Sequence, residues 1–183
     1  MKSVILCEGL TDCLFIQYYL KTVHHWQDGN SRSNIKFMRW NRILKKNENN
    51  VMLGHDGSCS RLIPMLENVL KSNWMGSIEE AYRKIVIVTD RDDDHSETDF
   101  LNEMNRLISE QHGKIVDTIV NNEWCKVFES SEYLLSVHRY SPFLSSPVFL
   151  YCIINTARLQ VFFCTIVQNK VQNVQIHFLK IGL

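Results

Sequence analysis

Lys84-Ile85-Val86-Ile87-Val88-Thr89-Asp90 is the stretch on which the fold turns. Its interior is continuous, β-branched and unrelieved by polar side chains. Such a run predicts a strand covered on both faces, as in the middle of a parallel sheet. A carboxylate closes it: Asp90 ends the run, and Arg91, Asp92, Asp93 and Asp94 follow at once.

Working outward, the same grammar recurs. Upstream, SVILC (3–7) reads as a short buried strand that ends in Glu8-Gly9. Thr11 or Asp12 then offers an N-cap, and LFIQYYLKTV carries apolar residues at helical spacing, predicting a helix over about 12–23. Residues 24–50 are polar and read as loop, with an edge strand at IKFMRW (35–40). VMLG (51–54) is a further strand, HDGS a turn, and SRLIPMLENVLKS a helix over about 58–72 that either kinks at Pro64 or starts there. SIEEAYRK reads as a short amphipathic piece. Downstream, ETDFLNEMNRLISEQHG is a helix closed by Gly113, and KIVDTIV (114–120) is another strand. Alternating strands and helices predict an α/β domain: a central parallel sheet flanked by helices.

In an open parallel sheet, ligands bind at the carboxyl ends of the strands. Two acidic clusters fall there. Glu8 directly follows the first strand, with Asp12 four residues on, and Asp90 and Asp92 directly follow the strongest one. Asp-x-Asp after a strand sends two carboxylates to the same side, because alternate residues share a face. Converging carboxylates repel unless a cation neutralises them, and magnesium suits an all-oxygen set. Either cluster alone reads as a solvated loop or a helix start, where Asp is favourable anyway. Each placed directly after a strand, the pair points to a metal site.

The pair resembles the Toprim domain of topoisomerases, bacterial primases, OLD-family nucleases and small RNA-maturing ribonucleases. That family carries Glu-Gly-x-x-Asp after its first strand and Asp-x-Asp after a later one. They stand here as Glu8-Gly9-Leu10-Thr11-Asp12 and Asp90-Arg91-Asp92, and the resemblance covers roughly residues 3–137. It implies a Toprim-like (Rossmann-like) fold and Mg2+- or Mn2+-dependent phosphoryl transfer on nucleic acid. Asp90 and Asp92 are then ligands, Glu8 a ligand or general acid and base, and Asp12 a ligand or a residue that orients one, with Glu8 and Asp12 the expected catalytic pair. DDDHSETDF lacks the glycine that primases and the RNA-maturing enzymes carry after Asp-x-Asp. SSEYLL places Glu132 where OLD-like sequences have a later ligand, with Glu129 as its rival. The resemblance therefore leans to OLD-like endonucleases acting on DNA phosphodiesters. A small Toprim ribonuclease, or a non-cleaving Toprim module that binds nucleic acid or protein, is the alternative. A transition-state cation is expected among Arg91, Lys114, Lys126 and Arg139.

Trp40 lies in FMRWNRILKK among four basic residues and, with Arg39 and Arg42, is the expected nucleic-acid contact. His24, His25 and His55 read as solvated loop histidines rather than ligands. The chain has no G-x-x-x-x-G-K-[ST], so an ATPase, which OLD-like enzymes usually carry, would come from a separate partner. A homo-oligomer is compatible with the reading.

Composition sets the frame. At 183 residues, 45% hydrophobic and 22% charged, the chain suits one globular domain with a net charge of +0. Bulk charge does not advertise a nucleic-acid binder. No acidic residue follows Glu132, and apolar runs near 148–154 and 159–167 are broken by Asn155 and Arg158, short of the about 20 residues a membrane span needs. The expected division is a Toprim domain over 1–140 and an apolar, acid-free extension over 141–183. Six cysteines without a CxxC pair read as reduced thiols, and the early acids of MKSVILCEGLTD do not suit a secretory signal. Both fit a cytoplasmic protein without a membrane segment.

Overall fold

The computed structural model describes residues 1–29, 37–77, 79–90, 94–118, 124–128, 134–140, 148–154, 159–167 and 175–180. For 90, 94–97, 134, 136, 138–140 and all positions from 148 on it describes the backbone alone. The elements are β1 (Lys2–Cys7), α1 (Leu10–His24), β2 (Gln27–Asp28), β3 (Trp40–Lys46), β4 (Asn49–His55), α2 (Leu62–Met75), β5 (Tyr82–Asp90), α3 (Asp94–Glu110), β6 (Cys125–Lys126) and β7 (Leu134–Tyr140). Strands β8 (Val148–Ile154), β9 (Leu159–Val167) and β10 (Gln175–Lys180) follow.

KIVIVTD is the core of β5, and it lies in the sheet order β2-β3-β4-β1-β5-β7-β6. Strands β4, β1, β5 and β7 pair parallel. β3 runs antiparallel to β4, and the two-residue strands β2 and β6 cap the edges, also antiparallel. The sheet is therefore mixed, a correction to the expectation of parallel strands alone. The cause is local: Asn47, with φ 54, turns the chain between β3 and β4, so they form a hairpin.

Both faces are covered, and the strands show how. In β1, Val4 and Leu6 join a cluster with Leu62, Met65, Leu66 and Val69 of α2 and Met104, Leu107 and Ile108 of α3. Ile5 and Cys7 join the opposite cluster, with Cys13, Ile16 and Leu20 of α1 and with Trp26. β5 divides alike, Ile85 and Ile87 to one side, Val86 and Val88 to the other. Period-two alternation within an uninterrupted apolar run puts α1 on one face and α2 and α3 on the other.

Several local expectations are revised. The strand expected at 35–40 starts only at Trp40; residues 35 and 36 lie outside the described residues, and 37–39 are not strand. Pro64 neither starts nor breaks α2: it is the third residue of the helix, where the backbone N–H has no partner within it. SIEEAYRK is not helical in its described part: a turn at 79–80 leads into β5 at Tyr82. The side chain of Asn73 on α2 fastens that entry, donating to the carbonyl of Tyr82 at 2.9 Å and accepting from its N–H at 2.7 Å. KIVDTIV forms no strand over its described residues 114–118, and the fourth parallel strand is β7, from LLSVHRY. α3 does end where expected, but His112, at φ 59, takes the left-handed position and Gly113 donates back to the carbonyl of Ile108 at 2.9 Å.

The apolar stretches after 141 form strands β8 to β10, an antiparallel sheet of their own in the order β10-β9-β8. Among the described residues no helix is long and apolar enough to cross a membrane.

Candidate metal and phosphate site

Because β4, β1, β5 and β7 are parallel, their carboxyl ends share one edge. Register sets the rows: Cys7 lies between His55 and Val88, and Asp90 stands beside Tyr140. From β1 the chain leaves through α1 for β4 on one side; from β4 it returns through α2 to β5 on the other. The strand order therefore reverses between β1 and β5. At such a point the connecting segments diverge and leave a crevice at the carboxyl edge. Glu8 and Asp90 flank it.

Glu8 is fastened at both its backbone and its side chain. Its N–H donates to the carbonyl of Val88 at 3.0 Å, prolonging the β1–β5 ladder by one bond. Its Oε2 accepts from the Thr89 hydroxyl at 2.8 Å. Since the Thr89 proton goes to Glu8, the Cys59 thiol, 3.5 Å from the Thr89 oxygen, is the donor in that second contact. Thr89, the residue before Asp90, thus links the carboxylate after β1 to the short 3-10 turn at Cys59–Arg61 that leads into α2.

Asp12 sits in the first turn of α1 and folds back, its Oδ2 accepting the Gly9 N–H at 3.1 Å. This satisfies a backbone donor at the helix start and sets a negative charge at the positive end of the helix. A Cβ on Gly9 would stand 3.2 Å from that oxygen, so glycine keeps the turn open for Asp12. Burial raises the Asp12 carboxyl above its ordinary range, and the charge of Glu8 adds to this; the Gly9 N–H and His55 act the other way.

His55 is the last residue of β4 and buried, 7% exposed, where the sequence suggested a solvated loop histidine. Burial holds its imidazole below the usual histidine range, helped by Arg39 and opposed by Asp56 and Asp12. Trp40, opposite it on β3, is half-buried against the α1-side core, its ring centroid 6.1 Å from that of His55. Arg39 and Arg42 are exposed. Arg39 lies next to the turn after β4, with Nη1 3.7 Å from where a Gly57 Cβ would be. Arg42 sits farther from the carboxyl edge, opposite Leu53.

Of the expected ligands, Glu8 and the backbone of Asp90 come together at the crevice, with Asp12 beside Glu8. Asp92 and Glu132, and the rival Glu129, lie outside the described residues. Among the described side chains, of which that of Asp90 is not one, no group of three or more His, Cys, Asp or Glu is gathered for a metal. The sequence reading missed Thr89, taken only as part of the strand. Its one signal was a hydroxyl residue beside the strand-end acid.

No family model matches the chain, and no curated protein matches it. Among solved structures it is similar to a hypothetical protein from Pyrococcus horikoshii OT3, with a TM-score of 0.54 at 17% identity. The similarity covers 74% of this chain and 54% of that one, so the chain spans about half the length of the protein it matches. At this identity the likeness is one of fold.

Proposed function

We propose that the chain is a Toprim-type, magnesium- or manganese-dependent phosphodiesterase acting on nucleic acid, DNA in preference to RNA, with an OLD-like endonuclease as the nearest kind. The observation that carries the reading is the Glu8–Thr89 hydrogen bond, which holds the acid after β1 beside the strand end that carries Asp90. This bond sits at the strand-order reversal, where an open α/β sheet takes its ligand.

The residues suit a hard cation. The described acids at the crevice, Glu8 and Asp12, offer oxygen donors, and the charge of Glu8 adds to what raises the Asp12 carboxyl, a repulsion that a cation relieves. Glu8, Asp90 and Asp92 would hold it, with Glu132 completing the set. Once bound, it would neutralise phosphate charge and lower the pKa of a water nucleophile. The protein's own part is positional. Thr89 keeps Glu8 aimed along the crevice, where its carboxylate can hold or pass a proton. Asp12 fixes the Gly9 turn so that substrate approaches the backbone closely.

The test is cleavage of plasmid, single-stranded DNA and RNA by the full chain with Mg2+ or Mn2+, wild type against Glu8→Gln. Gln keeps an oxygen for Thr89, so folding should survive. Loss of a general base lowers rate by about two to four orders of magnitude. A Glu8→Gln protein that cuts at the wild-type rate removes Glu8 from the chemistry. A wild type that binds nucleic acid but cuts none, with an ATPase partner supplied, favours the non-cleaving module.

A further inference from the structure

His55 has a buried ring nitrogen, Nδ1, without a hydrogen-bond partner. A covered polar atom left unpaired costs free energy, and in a site it marks a group kept for a ligand. The groups facing the ring come from every side: Arg39 from before β3, Trp40 from β3, Asp12 from α1 and Asp56 next in the chain. Both acids are already engaged. Asp56 accepts from Arg61 Nε at 2.6 Å, and Asp12 Oδ2 accepts from Gly9. Arg39 has no carboxylate partner among the described residues and is exposed. Its guanidinium lies by Gly57, whose φ of 102 suits a residue without a side chain and leaves the turn bare.

We infer that His55 and Arg39 form a phosphate-binding corner on the β4 side of the crevice, taking the nucleic-acid phosphate next to the one that is cut. The inference rests on the phosphoryl-transfer reading above. Arginine presents a fork of donors that fits a tetrahedral oxyanion, and a neutral imidazole protonated at Nδ1 adds one more. An anion there also offsets the charge of Arg39, which after burial is the second influence holding His55 below the usual histidine range. A ligand that enters over Gly57 must displace what covers the buried Nδ1 to reach it. A strand bound this way runs from Glu8 over β4 towards β3, not towards β7.

The experiment uses the uniformly 15N-labelled full chain and, as probe, a 5′-phosphorylated thymidine dinucleotide in EDTA. On titration the His55 ring nitrogens should shift, and R39A should weaken binding about tenfold, the loss of one charge-assisted contact. K71A, on the outer face of α2, should bind within about twofold of wild type. If the dinucleotide shifts the amides of Glu8–Asp12 but leaves His55 unmoved, or if R39A binds like wild type, the corner is wrong and the phosphoryl-transfer reading stands. If His55 responds while no nucleic acid is cut with either metal and an ATPase partner supplied, the phosphate corner stands and the cleavage reading falls. If neither His55 nor Glu8–Asp12 responds and nothing is cut, both fall.

Discussion

The hydroxyl of Thr89 donates to Glu8 Oε2 across 2.8 Å, tying the ends of two adjacent parallel strands that are 81 residues apart in the chain. Thr89 is buried and Glu8 half-buried, so the donor end of this bond is shielded from water. Thr89→Val keeps the shape and removes the donor. It should lower stability by about 1–2 kcal/mol, as for a hydrogen bond to a charged group. Urea unfolding of Thr89→Val, Glu8→Ala and the double variant measures the coupling. Strictly additive losses would show that the bond contributes nothing.

Asp12 makes a pH prediction whose sign follows from its raised carboxyl. The folded state holds the proton more tightly than the unfolded chain, whose Asp titrates near about 3.9. Stability contributed by this group is therefore present at low pH and lost as pH rises from the unfolded value through the raised folded one. Asp12→Asn should flatten that part of the curve and be the more stable form at neutral pH, since its amide oxygen still accepts from Gly9. Parallel stability curves between pH 3 and 8 for the two proteins would contradict the assignment.

Metal should act on the same balance. Mg2+ or Mn2+ in excess should raise the melting temperature of the wild type by mass action, about 2.7 kcal/mol at a hundredfold excess over Kd. The Asp90→Asn, Asp92→Asn double variant should lose that shift. Calorimetry with and without metal decides. An equal response in both proteins would place the ion elsewhere.

Asn73 carries a structural prediction. At 6% exposure it serves both backbone groups of Tyr82, where β5 enters the sheet. Asn73→Ala leaves a donor and an acceptor without their partner, and should cost about 2–4 kcal/mol, one desolvation penalty for each group. A midpoint in urea within experimental error of wild type would mean that the entry to β5 relaxes and solvates freely.

Much of the fold was legible locally. SVILC and KIVIVTD announce buried strands, and their alternation already assigns Val4 and Leu6 to one face, Ile5 and Cys7 to the other. Glu8-Gly9 and Asp90 stand at strand ends in any α/β arrangement, so their order along the chain carried the candidate site. These features depend on side-chain period and on glycine's freedom to turn, which are properties of short segments.

What the tertiary structure alone decided is which segments win places beside one another. KIVDTIV has the better strand composition, yet LLSVHRY takes the place beside β5. The reason is competition for backbone groups: Asn105 on α3 binds both the N–H and the carbonyl of Val116, at 2.8 and 2.7 Å, and Lys114 donates to the carbonyl of Val127 at 2.7 Å. Groups so engaged are withdrawn from a ladder. The Thr89–Glu8 bond likewise arises from register between two strands far apart in the chain, a long-range choice that no local pattern encodes.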